Sequence, residues 1–136
     1  MSHAIETVKA FLANVFAADG VRVERIDDYF ADDCVFHDAM PGFEGVEGYK
    51  KLMHMFEGAT MTQGGAQQPI VMGDGDFVSI RWINDLRQTG EFFGVPATQR
   101  VFRAKGHEIY RVADGKIVEN WAIMDVAGIM AQLTAE

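Results

Sequence analysis

The sequence predicts an α+β fold: three N-terminal helices packed on a curved, mixed or antiparallel sheet, closed by a short C-terminal helix. Two observations carry this expectation. Up to Phe56 the apolar residues recur at three- and four-residue intervals, the period of a helix buried along one face. After Gly58 they fall into shorter runs separated by Gly, Asp and Pro turn signals, the texture of strands. Helices first and strands afterwards argue for a sheet wrapped round a helical layer. With 136 residues, 49% of them hydrophobic, the chain suffices for one compact domain with a sizeable core and is too short for two ordinary ones. Residues 1–136 are therefore expected to form a single domain.

The first helix is read over residues 5–18, where Ile5, Val8, Phe11, Leu12, Val15 and Phe16 share a face and Gly20 follows as a stop. Residues 22–30 continue with Val23, Ile26 and Phe30 as a short second helix. Asp32 and Asp33 then introduce a brief strand-like run from Cys34 to His37, and Pro41-Gly42 makes a turn. Val46, Tyr49, Leu52, Met53 and Phe56 give the third helix, bounded by Gly45 and Gly58.

Pro69 to Met72 and Phe77 to Leu86 read as strands joined by Gly73-Asp74-Gly75-Asp76, a strong hairpin signal. The break from Gln88 to Gln99 contains Gly90, Gly94 and Pro96 but also Phe92, Phe93 and Val95, so it reads as an apolar loop folded over something. Arg100 to Val112 and Lys116 to Met124 form the last strand pair. Val126 to Leu133 forms the closing helix, with Asp125 as its N-cap. No internal repeat, linker or low-complexity tract interrupts this order.

Charge narrows the partners. Twenty acidic residues against 12 Lys and Arg give a net charge of -8, and no basic run is present, so nucleic acid and anionic membrane are poor partners. Glu6, Lys9 and Asn14 interrupt the opening segment, which therefore does not read as a signal peptide. No stretch approaches the roughly 18 apolar residues of a membrane span. Cys34 is the only cysteine, which excludes an intrachain disulfide and makes a reducing, cytoplasmic setting the expectation. His3, His37, His54 and His107 are scattered without the spacing of metal ligands, so no metal site is predicted.

Several phrases resemble a known family. TGEFFGVPAT (Thr89 to Thr98), GHEIYR (Gly106 to Arg111), DGKI (Asp114 to Ile117), ENW (Glu119 to Trp121), DVAG (Asp125 to Gly128) with Gln132 and Leu133, and HDAMPGFEG (His37 to Gly45) occur in the order seen in SnoaL-like polyketide cyclases. These belong to the nuclear transport factor 2-like superfamily of cone-shaped α+β domains. The resemblance implies a cofactor-free intramolecular aldol condensation in a conical pocket. An acidic residue removes a proton next to a carbonyl while polar neighbours hold the enolate oxygen. The family's acid on the last strand falls at Ala122, and Asn120 precedes Trp121 where the family has His. A methyl group carries no proton, which leaves three readings: the base has moved, the reaction differs, or the domain only binds.

Which side chains share a face depends on the Asp114-Gly115 turn, which admits two registers. A two-residue turn pairs Ala113 with Lys116 and sets Glu108 opposite Trp121; a type I turn with a Gly bulge pairs Val112 with Lys116 and sets Glu108 opposite Asn120. The second is favoured, because the resemblance maps the family's functional positions to Glu108 and Ala122. It gives one face of Glu108, Tyr110, Val118, Asn120, Ala122 and Met124, and another of His107, Ile109, Arg111, Glu119, Trp121 and Ile123.

Glu108 is then the candidate acid or base, its pKa raised against an apolar wall, and Asn120 the candidate donor to a substrate oxygen. The competing reading is a mutually satisfied core pair. His37 and Asp38 are assigned to the substrate pocket, their side chains diverging so that one faces its mouth, and Trp82 and Tyr110 are expected beside a flat substrate. Phe92, Ala122 and Met124 complete the expected pocket wall. His107, Ile109, Trp121 and Ile123 read as a dimer face, His54 as a surface or helix-packing residue and Asp125 as a cap. Arg81, Asp85 and Asp125 raise an Asp-Arg-Asp epoxide hydrolase site, but their spacing lacks the pairing that chemistry needs. The functional expectation is acid/base chemistry, an aldol-type cyclisation or isomerisation, on a small hydrophobic carbonyl compound without metal or organic cofactor. The alternative is a non-catalytic small-molecule-binding or dimerisation domain that has lost the family's acid.

Overall fold

The computed structural model describes residues 3–17, 20–63 and 67–135. Helix α1 (His3–Val15) buries Ala4, Val8, Phe11 and Val15, the i, i+4, i+7 and i+11 positions of one stripe. It stops three residues earlier than the periodicity predicts. Phe16–Ala17 (β1) leaves the helix to pair with Gly20–Val21 (β2), and the Arg22 amide donates to the Val15 carbonyl at 2.7 Å. Ala18, the last residue of the predicted helix, lies outside the described residues.

The second predicted helix is a 3-10 segment, Val23–Asp28, and β3 (Phe30–Phe36) follows directly. Val23 and Ile26 are three apart, a spacing that buries both residues in a 3-10 turn as well as in an α-helix. With six residues and no side-chain cap, the segment takes the tighter form. The N-terminal half thus holds two α-helices and a 3-10 turn. Helix α2 (Gly45–Ala59) runs three residues past Phe56 and carries Gly58 inside it. The Thr60 amide and hydroxyl both turn back to the Phe56 carbonyl, ending the helix where β4 (Thr60–Thr62) begins.

β5 (Ile70–Asp74), β6 (Phe77–Gln88), β7 (Val101–Ala113) and β8 (Lys116–Met124) complete a six-stranded sheet of order β3-β8-β7-β6-β4, with β5 on the same edge of β6 as β4. β3 runs parallel to β8 and every other pair is antiparallel, so the sheet is mixed. The long β6–β7 ladder, paired from Phe77↔Arg111 to Arg87↔Val101, is its spine. Helix α3 (Val126–Thr134) is capped by the Asp125 carboxylate, which accepts from the Gly128 amide at 2.9 Å.

Neither predicted register holds along the whole of β7–β8. Asp114 and Gly115, at φ 51 and 76, make a two-residue turn that pairs Ala113 with Lys116. A bulge then shifts the ladder between Val112↔Ile117 and Arg111↔Glu119, with Val118 as the inserted residue. Beyond it Tyr110 faces Asn120 and Glu108 faces Ala122. Ile117, not Val118, turns into the core.

The main core lies between one sheet face and α1, the 3-10 turn and α2, centred on Phe11, Ile26, Phe30, Ile80, Tyr110 and Ile117. A second cluster of Leu86, Phe92, Phe102, Ile129 and Leu133 joins the 89–100 loop to α3 at the other end.

Candidate functional site

Between these two clusters the sheet and α2 diverge, leaving an open concavity of about 1440 Å3. Strand alternation decides what faces it. β6 contributes Ile80, Trp82, Asn84 and Leu86, β7 contributes Glu108, and β8 contributes Asn120, Ala122 and Met124. Tyr49, Leu52, Met53 and Phe56 of α2 form the facing wall, and Asp38 lies near the rim.

Glu108 is the chemical centre of this surface. Its Oε2 accepts from the Trp82 indole N–H at 2.8 Å; its Oε1 accepts from the Tyr110 hydroxyl at 3.0 Å and the Asn120 amide at 3.2 Å. No cation pairs with it among the described residues. Burial pushes its carboxyl above the ordinary range, and the bonds from Tyr110, Asn120 and Trp82 pull in the opposite direction. The side chain is enclosed by protein yet half-buried, because its remaining surface opens on the concavity. A carboxyl group held by neutral donors, with a raised pKa and an open side, is able to exchange a proton with a molecule in the cavity.

The indole that touches Glu108 is placed by a glycine. Gly106 faces Trp82 across β6–β7, and a Cβ there would stand 2.7 Å from Trp82 Cζ2. Only a residue without a side chain lets the ring lie flat over β7.

The other sequence-predicted residues divide. Trp82, Asp38, Ala122 and Met124 line the concavity; Asn120 does so while almost fully buried. His37 does not, which corrects its assignment to the pocket. Strand alternation sends it to the opposite sheet face, where its ring stacks on Trp121 at 4.5 Å and Nε2 meets Glu119 Oε2 at 2.7 Å. Phe92 is not a wall residue either: fully buried, it packs edge-on against Phe56 at 5.0 Å inside the second cluster. Tyr110 sits behind the cavity floor and reaches the site only through its hydroxyl on Glu108.

His107, Ile109, Trp121 and Ile123 lie on the outer face of the sheet, with Ile123 at the rim. Arg111 bonds the second oxygen of Glu119 there, and Arg103 pairs with Asp85 at 2.9 Å, so Asp85 is not free for epoxide chemistry. His54 is exposed and, among the described residues, pairs with Glu57 of its own helix. Burial pushes the Cys34 thiol up to about 12, which keeps it protonated and unreactive. Among the described residues no cluster of His, Cys, Asp and Glu has the form of a metal site, and no helix is long and apolar enough to cross a membrane.

Among the polar groups on the wall that sequence reasoning missed are Tyr49 and Asn84. Tyr49 sits in the apolar stripe of α2 and reads as core. Asn84 was legible in principle, since it stands two residues from Trp82 on the same strand face.

A family model described as SnoaL-like polyketide cyclase matches residues 6–133. No curated protein matches the chain. Among solved structures, TsrD from Streptomyces laurentii superposes with a TM-score of 0.75 at 21% identity, covering 100% of this chain and 99% of its own. A SnoaL-like polyketide cyclase from Agrobacterium tumefaciens gives 0.70 at 19% identity, covering 98% and 99%. IdmH from Streptomyces antibioticus gives 0.73 at 25% identity, covering 96% and 97%. These likenesses show the nuclear transport factor 2-like fold, helices packed on a mixed sheet, and the family match adds what fold alone does not. The chain belongs to the SnoaL-like polyketide cyclase family.

Proposed function

We propose that the protein catalyses an aldol-type cyclisation or isomerisation of a small hydrophobic carbonyl compound, with Glu108 as the proton-transfer group. One observation carries this reading: among the described residues, the carboxylate that the sheet presents to the cavity is held by three neutral donors, has no cationic partner, and keeps an open side. A purely structural Glu–Asn pair needs no open side.

The chemistry follows in order. Glu108 takes a proton from the carbon next to a carbonyl; the C–H electron pair moves into the enolate and negative charge builds on the carbonyl oxygen. Asn120 spends one amide N–H on Glu108, and its second serves that oxygen. The enolate carbon then bonds to a second carbonyl carbon of the same molecule. Its oxygen becomes an alkoxide, which recovers the proton from Glu108. Trp82, Phe36, Leu52 and Phe56 shield these steps from water and give a flat apolar substrate its surface. In this reading the base has moved from the family position at Ala122 to the neighbouring strand.

Deuterium exchange at the methyl group of 2-acetylnaphthalene, followed by NMR in D2O, tests the role of Glu108 without the natural substrate. The full-length protein should accelerate exchange over buffer, and Glu108→Gln should lower that acceleration by about 100-fold or more. Retained acceleration in a folded Glu108→Gln protein sinks the assignment.

The outer sheet face is proposed to join two copies of the chain. Phe77, Ile109 and Ile123 are 47%, 44% and 65% exposed around the His37–Trp121 stack, an apolar patch interrupted by satisfied ion pairs.

A further inference from the structure

An aldol condensation develops charge on two oxygens, and Glu108 with Asn120 accounts for only one of them. The opposite wall carries a second polar group that nothing in the protein engages. Tyr49 lines the concavity from α2, and its hydroxyl has no hydrogen-bond partner among the described residues, whereas the polar side chains around Glu108 are all paired. No buried side-chain oxygen or nitrogen is left unpaired among those residues, so this hydroxyl is open to the cavity and not sealed in the core.

Its position is fixed. The ring stacks on Phe36 at 5.3 Å and packs on Phe30 at 5.2 Å. The preceding residue, Gly48, lets the first turn of α2 press against the Phe43 backbone, where a Cβ would clash. Burial and the charge of Glu108 hold the phenol well above its ordinary pKa, so it remains an O–H donor. A neutral donor locked by aromatic packing, lining the same cavity as Glu108, is preorganised to meet an oxygen on the substrate.

We propose that the Tyr49 hydroxyl donates to the acceptor carbonyl of the substrate, so that the cavity is built for a dicarbonyl compound held at two points. This rests on the reading of Glu108 as base, but its test is a binding measurement and does not require turnover. Two probes serve, 1-(2-naphthyl)hexane-1,5-dione and the monoketone 1-(2-naphthyl)hexan-1-one, titrated into the full-length protein by calorimetry. The wild type should bind the diketone about fivefold to tenfold more tightly, the worth of one additional hydrogen bond. Tyr49→Phe keeps the ring, and should abolish that preference while leaving monoketone affinity within twofold.

A preference unchanged in Tyr49→Phe overturns the proposal, as does an equal loss of both probes, which would make Tyr49 a packing residue. A preference lost in Asn84→Leu and kept in Tyr49→Phe overturns it in favour of Asn84. If neither probe binds the wild type, the dicarbonyl cavity itself is refuted. Failure of Glu108 as base would show instead in the exchange assay, with the binding preference intact.

Discussion

Glu108 is held by neutral donors, without a counter-ion among the described residues, and this makes its titration sensitive to each donor. The carboxylate must be ionised to accept a proton, so exchange activity should fall as pH drops through its raised pKa. Tyr110→Phe removes a donor that favours the carboxylate, and should move the midpoint of the exchange pH profile upward. An unmoved or lowered midpoint would mean that the Tyr110 bond does not tune the base. The same shift bears on stability with a fixed sign. The folded state binds the Glu108 proton more tightly than the unfolded chain does. Its contribution is therefore fullest below the ordinary carboxylate pKa and is lost as pH rises through the folded value. Urea titrations across that window should show a smaller decline for Glu108→Gln than for the wild type.

Gln88 ends β6 and organises the loop that follows. Fully buried, it donates to the carbonyls of Gly90, Val95 and Pro96 at 2.9 to 3.1 Å and accepts from the Thr98 amide and hydroxyl. Gln88→Ala would strand several of these groups and should cost about 2–3 kcal/mol in urea denaturation. A loss below about 0.5 kcal/mol would show that water replaces the side chain. Gly106→Ala should displace Trp82 from Glu108, cost about 1–3 kcal/mol, and shift the tryptophan emission.

These elements also show where sequence reading reaches and where it stops. Asp125 was legible as a cap because capping is local, decided within three residues. The two-residue turn at Asp114-Gly115 was one of two local options, but the bulge at Val118 depends on pairing with β7 and on which neighbour the core accepts. Gln88 read as the edge of a loop because its partners lie up to ten residues away. His37 was misplaced because its face is set by a parallel pairing with β8 that no turn announces.

One sheet carries both proposed activities of the molecule, a reactive concave side and a self-associating convex side, with adjacent residues of the same strand assigned to each. The family and the helix-on-sheet architecture were readable from the order of the elements and from the quoted phrases. Tyr49 was not, since only the assembled cavity separates a wall residue from a core residue. Ile109→Lys, on the convex side, should convert a dimer to a monomer in sedimentation velocity while the exchange reaction persists. A wild-type protein that sediments as a monomer at micromolar concentration would remove the dimer from the account.

The pairing of Glu108 with Ala122 has an evolutionary corollary. Cross-strand partners hold their Cβ atoms about 4.5–5.5 Å apart, so a longer acid on one strand and a shorter acid on the next deliver an oxygen to nearly the same spot. The floor is a socket with two anchoring points, and a lineage could transfer its acid between strands by passing through a form that carries both. Ala122→Asp would recreate that intermediate. Two carboxylates in one apolar socket would share a proton, and the variant would titrate as a dyad.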